Sequence, residues 1–120
     1  MPKTILIVED SPMEMKVLQN LLEDKGYQLL SATDGEEAIL VAQRHHPDLI
    51  LLDVVLPKKN GFQVCRQLKS SPDTAASKIV MVSSKSLEMD RYWGLKQGAD
   101  EYVAKPINPA SVMAAIERMI

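Results

Sequence analysis

The sequence predicts an α/β fold, a doubly wound parallel sheet of five strands in the order 2-1-3-4-5 with five helices on its two faces. Three observations predict it. Short apolar runs alternate with amphipathic stretches five times along the 120 residues. The run Leu49-Ile50-Leu51-Leu52 is apolar at every position, the pattern of a strand buried on both faces. Polar groups stand at the ends of the strands: Glu9-Asp10, Asp53, Ser83 and Lys105. Ligand chemistry in open parallel sheets gathers beyond the carboxyl ends of the strands.

Residues 4–8 (TILIV) form the first strand. Ser11 offers an N-cap and Pro12 suits the first helical position; Met15, Leu18, Leu21 and Leu22 share one face, and Gly26 ends that helix. Residues 27–32 form the second strand. Thr33 or Asp34 caps the next helix, Glu36 and Glu37 favour its dipole, Ala38, Ile39 and Ala42 give it an apolar side, and Pro47 closes it. The third strand, 48–53, stops on Asp53, and Pro57, Asn60 and Gly61 break the loop that follows. The helix at 61–70 presents Val64, Cys65 and Leu68 inward. Residues 78–82 (KIVMV) form the fourth strand, 87–97 a helix stopped by Gly98, and 100–104 the fifth strand. Asn108 caps and Pro109 starts the last helix, which buries Val112, Met113 and Ile116 or their neighbours. Neither a linker nor a repeat interrupts the series, so residues 1–120 are expected to be one domain with no output domain.

Composition narrows the function classes. A net charge of -2 with no basic block gives no reason to expect nucleic acid. The one cysteine, Cys65, excludes an internal disulfide and fits a reducing compartment. With no signal peptide before the first strand and apolar runs too short to cross a membrane, the expected location is the cytoplasm.

The strand order opens a crevice between strands one and three, where Glu9, Asp10 and Asp53 converge. Three close carboxylates repel one another and raise at least one pKa unless a cation intervenes. An all-oxygen acidic site suits Mg²⁺. Lys105 and the Ser83 hydroxyl on the far side complete a phosphoryl site, and Asp53, between metal and lysine, is the natural nucleophile for an acyl phosphate.

Over all its length the chain resembles the receiver domain of two-component response regulators, of the single-domain, CheY-like chemotaxis type, a flavodoxin-like three-layer sandwich. The resemblance rests on Glu9-Asp10, on Asp53-x-x-x-Pro57-x-x-x-Gly61, on Ser83, and on Lys105-Pro106. It implies that Asp53 takes a phosphoryl group from a CheA-like histidine kinase. It also implies Mg²⁺ bound directly by Asp10, through water by Glu9, and by the backbone carbonyl of Val55, with a cis Lys105-Pro106 bond. Phosphorylation adds about -1.5 to -2 of charge. Ser83 then moves toward the new oxygens, Tyr102, matching the family's switch aromatic, turns inward, and the surface of helix four, strand five and helix five changes shape for an effector. The protein does little as an enzyme beyond slow self-dephosphorylation. A monomer or weak dimer is expected.

Residues 90–99 (DRYWGLKQGA), with Ser83-Ser84-Lys85 and Val64-Cys65-Arg66, are similar to PilH-like regulators of type IV pilus and phototaxis systems, which implies an effector related to the pilus motor. That helix carries two apolar groupings: Leu87, Gly94 and Leu95, and separately Met89, Tyr92 and Trp93. One helix buries one stripe, so the remainder, with Arg91, suits a partner surface. Val55 and Lys85 depart from better-known relatives at the site entrance, so the dephosphorylation rate does not carry over. Other classes fit less well. A haloacid-dehalogenase phosphatase needs an acid where Val55 stands, and no phosphate-cradling glycine loop exists for a nucleotide. The competing reading within signalling is a phosphate sink or phosphorelay carrier. His45-His46 reads as a helix C-terminus, Cys65 as a small core residue, and Lys58-Lys59 as a solvated loop able to steer a kinase domain.

Overall fold

A computed structural model describes residues 2–120. Its elements are β1 (Thr4–Val8), α1 (Pro12–Leu22), β2 (Gln28–Ala32), α2 (Gly35–His45), β3 (Leu49–Leu52), α3 (Gly61–Ser70), β4 (Lys78–Ser83), α4 (Glu88–Lys96), β5 (Glu101–Ala104) and α5 (Pro109–Met119). The five strands form one parallel sheet in the order β2-β1-β3-β4-β5, as the alternation of apolar runs requires.

Alternate strand residues feed two cores. Leu6, Val8, Ile50, Leu52, Ile79 and Met81 pack under α2 and α3 with Ala38, Ala42, Val64 and Leu68. Ile5, Ile7, Leu49, Leu51, Val80 and Val82 pack on the other face against Leu18 and Leu22 of α1 and Val112 and Ile116 of α5. Each fully buried Leu, Ile or Val contributes about 1.5–3 kcal/mol, so these two layers supply most of the driving force for the sheet.

Local chemistry sets the helix ends. Ser11 Oγ accepts from the Glu14 N–H, Asp34 from Glu37, and Asn108 from Ser111. Asn60 and Gln63 form a reciprocal capping box at α3. α1 ends at Leu22, and Gly26 (φ 84°) turns the chain a few residues later. α2 stops at His46, which takes the left-handed conformation (φ 47°) while its Nδ1 lies 2.9 Å from the Asp73 carbonyl.

α4 departs from expectation. Neither apolar stripe is buried: Leu87, Met89, Tyr92, Trp93 and Leu95 are all exposed, and Gly94 is the helix's one buried residue. The helix lies so close to the sheet that a Cβ on Gly94 would sit 2.8 Å from Tyr102 Cδ2 and 2.9 Å from Met81 Sδ. The missing side chain is what allows contact, and a backbone-to-ring approach of that kind leaves larger residues on either flank facing water.

Candidate functional site

The carboxyl ends of β1, β3, β4 and β5 bring the expected groups together. Registers pairing Val8 with Leu52 and Leu52 with Met81 level the strand ends, and the Asp53 N–H donates to the Val8 carbonyl at 3.2 Å. One carboxylate oxygen each of Glu9, Asp10 and Asp53 fall within 4.8 Å of one another. Glu9 and Asp53 are buried, and Asp10 is exposed at the mouth. Val55, half exposed at the rim, donates its N–H to Asp53 Oδ1 at 3.3 Å. Ser83 is fully buried at the end of β4, with its Oγ accepting from the Lys85 N–H at 3.3 Å.

Lys105 follows β5, and its N–H donates to the Ser83 carbonyl at 2.9 Å. Its peptide bond to Pro106 is cis. The ammonium lies in the centre of the acids: Nζ is 2.7 Å from Glu9 Oε1 and 3.0 Å from Asp53 Oδ2. It also pairs with the Glu14 carboxylate of α1. Burial would lower the Lys105 pKa, but hydrogen bonds to Glu14, Glu9 and Asp53 outweigh it and hold the ammonium above the usual lysine range. Burial pushes Glu9 up to about 7 against the opposing pull of Lys105 and the Ser11 N–H. The Lys105 hydrogen bond holds Glu14 below the usual carboxylate range.

Glu14 was not among the expected site residues. Its signal was present: it stands four residues after Asp10, in the first turn of α1, the turn that faces the crevice. It stands inside a helix and not at a strand end, so the placement of polar groups at strand ends did not single it out.

Behind Asp53 the backbone is closely packed. The Gly61 N–H donates to the Val54 carbonyl at 2.8 Å, and a Cβ at Gly61 would meet the Asp53 carbonyl oxygen at 2.2 Å. Only glycine lets α3 begin directly against the main chain of Asp53.

The remaining expected residues lie away from the acids. Ser84, Arg91, Trp93 and Leu95 are exposed, and the Arg91 guanidinium sits 5.8 Å from the Tyr102 ring centroid. The Tyr102 ring is buried, with its hydroxyl donating to the Lys85 carbonyl. The ring packs against Gly94, where a Cβ would lie 2.8 Å from its Cδ2. Cys65 is fully buried, and burial pushes its thiol up to about 12, as suits a core residue.

Residues 5–117 match the family model described as the response regulator receiver domain. The chain belongs to the response regulator receiver domain family. It is 40% identical over 116 residues to PilH of Pseudomonas aeruginosa, covering 97% of this chain and 96% of that protein. It is 42% identical over 120 residues to the Bacillus subtilis transcriptional regulator PhoP, of which it spans 49%. Among solved structures, the chemotaxis response regulator CheY4 of Vibrio cholerae superposes with a TM-score of 0.93 at 27% identity over 100% of both chains. The receiver domain of a P. aeruginosa sensor histidine kinase, solved with magnesium in its active-site cleft, gives 0.90 at 29% identity over 99% of this chain and 98% of that one.

Receiver domains are phosphorylation-based signalling switches rather than conventional enzymes, and they bind Mg²⁺ at an acidic site. Glu9, Asp10 and Asp53 fit a hard divalent cation: every donor is an oxygen, and the three lie close enough to share one ion. No helix among the described residues is long and apolar enough to cross a membrane.

Proposed function

We propose that this receiver accepts a phosphoryl group on Asp53 from a CheA-like histidine kinase and passes the signal to an effector protein in a chemotaxis-like system governing type IV pilus motility or taxis. The observation that carries this reading is the placement of Lys105 Nζ 3.0 Å from Asp53 Oδ2, beside an acidic set able to hold a metal. The similarity to PilH supports the motility setting. The single buried thiol is consistent with work in the reducing cytoplasm.

In this mechanism Asp53 attacks the donor's phosphorus, its new O–P bond forms as the P–N bond to the kinase histidine breaks, and the imidazole leaves. Asp10, Asp53 and the Val55 carbonyl would hold Mg²⁺ directly and Glu9 through water, and the ion would supply charge neutralisation for the phosphoryl oxygens. The Lys105 ammonium neutralises a further oxygen, and the Ser83 hydroxyl, 0% exposed just across the sheet, donates to the product. The exposed face of α4, with Arg91, Trp93 and Leu95, receives the effector.

Acetyl phosphate with Mg²⁺, followed by intact mass, tests the acceptor. A single phosphoryl adduct should form, require Mg²⁺, and disappear in Asp53→Asn. An unchanged adduct in that variant would reject Asp53. A second reading, a phosphate sink or relay carrier, draws support from Tyr102 already being buried, since it leaves less conformational change for phosphorylation to drive. Trp93 fluorescence in the same titration separates the two: a change accompanying the adduct favours the switch, and a flat signal favours the sink.

A further inference from the structure

Glu14 is a fourth carboxylate in the site, and the acceptor reading assigns it nothing. An ammonium has three N–H donors. Lys105 directs them at carboxylates from three different places in the chain: Glu9 after β1, Glu14 in α1 and Asp53 after β3. With all three committed, the ammonium has no donor left for a phosphoryl oxygen. One carboxylate has to leave before Lys105 can serve the transferred group.

Which one leaves is decided by how each is held. Glu9 is buried, and its second oxygen accepts from the Ser11 N–H at 3.0 Å. Asp53 is buried and carries the phosphoryl group itself in this reading, with Oδ1 also accepting from Val55. The Glu14 side chain is 38% exposed, and Lys105 is its one ion-pair partner among the described residues. It can swing into water without stranding a buried polar group.

The local sequence shows how Glu14 came to be free for this contact. In a capping box, the Glu14 carboxylate would accept from the Ser11 N–H. Here Glu9 takes that N–H, so the side chain at the third helical position is released toward Lys105. The pairing therefore comes from the interlock of β1 and α1 and not from a chance surface contact.

We propose that Glu14 is a positioning residue that holds, in the resting protein, the seat on Lys105 later taken by a phosphoryl oxygen. Phosphorylation of this chain is then an exchange of one anion for another on a single ammonium. Glu14 slows entry of the phosphodonor in two ways: it occupies Lys105, and its charge at the rim repels the incoming dianion. The inference rests on Asp53 being the acceptor.

The test compares wild type, Glu14→Gln, and Glu23→Gln, an exposed position at the far end of α1 that changes net charge equally. With acetyl phosphate and Mg²⁺, Glu14→Gln should be phosphorylated about 3- to 10-fold faster at subsaturating donor, the effect of one charge a few ångströms from a dianion in a water-accessible site. Glu23→Gln should stay near wild type, and the advantage of Glu14→Gln should shrink as ionic strength rises. Beryllofluoride, a phosphoryl mimic, should bind Glu14→Gln more tightly by a similar factor. In wild type labelled with ¹³C at glutamate carboxyls, the Glu14 resonance should move over the same beryllofluoride range as the Ser83 amide.

A Glu14→Gln rate equal to or below wild type, or a Glu14 resonance that stays put as Ser83 shifts, overturns the proposal. Adduct formation in wild type with either of those results leaves the acceptor reading standing. Absence of an adduct in every protein, wild type included, would instead refute the acceptor reading.

Discussion

The crevice at the strand ends and the outer face of α4 lie on the same sheet yet are built by opposite means. In the crevice, Glu9, Asp53 and Glu14 share the three donors of one ammonium, and no buried side-chain polar atom among the described residues lacks a partner. On α4, a helix with four large apolar side chains attaches through a glycine and leaves them to solvent, with Met89 78% and Trp93 48% exposed. A charge site tolerates little freedom, because an unpaired buried ion costs several kcal/mol. The α4 face carries no buried ion and so is free of that constraint. The difference teaches that one sheet supports a tightly paired charge site at its strand ends and an exposed apolar surface on an outer helix.

The sharpest way to break that comparison is to attack the glycine contact. Gly94→Ala places a methyl against Tyr102 and Met81 at distances real Cβ atoms do not tolerate. Even after the gain in helix propensity, it should lose about 1–2 kcal/mol in urea unfolding. The cheapest relief is for the ring to leave, so the Tyr102 ring resonances should shift as it parts from Arg91. An unaltered ring environment with unaltered stability would mean α4 is held by something other than this close approach.

A second effect, confined to alkaline pH, sits at the other end of the helix. Cys65 is fully buried in α3, and its Sγ lies 3.6 Å from the carbonyl of Gln97, just past α4. Its pKa rises from 9.0 unfolded to about 12 folded. Below pH 9.0 both states keep the proton and nothing changes. Between 9.0 and about 12 the unfolded chain loses it while the folded one retains it, so stability falls as pH rises, by at most about 1.4 kcal/mol per pH unit. Cys65→Ala should flatten that alkaline slope relative to wild type in pH-dependent denaturation. Equal slopes would show the thiol is not buried in solution.

Smallest of all should be Trp93→Ala. If the α4 face is surface and not core, stability changes by no more than about 0.5 kcal/mol. A loss above 2 kcal/mol would show that Trp93 belongs to the fold, and the contrast between the two regions would collapse.

The same contrast governs what could be read from the sequence. Strands and core were legible because burial on both faces demands unbroken apolar runs such as Leu49 to Leu52, and parallel pairing then follows from the alternation. Glu9, Asp10, Asp53 and Lys105 were legible because residues at strand ends cannot avoid meeting. Glu14 was not, since it stands in the first turn of α1 and not at a strand end. The placement of α4 was hidden for another reason. Periodicity reports which residues are apolar, and Leu87, Met89, Tyr92, Trp93 and Leu95 all are, but a helix seated on a glycine leaves no apolar stripe to mark its contact.

Gly61 gives the Asp53 loop a mechanical property. With α3 pressed against the Asp53 carbonyl and tied to Val54, the main chain behind this side chain works as an anvil. Under the proposed phosphorylation, charge added to Asp53 would meet a backbone with no room to recoil, and α3 should be the part of the molecule that moves least.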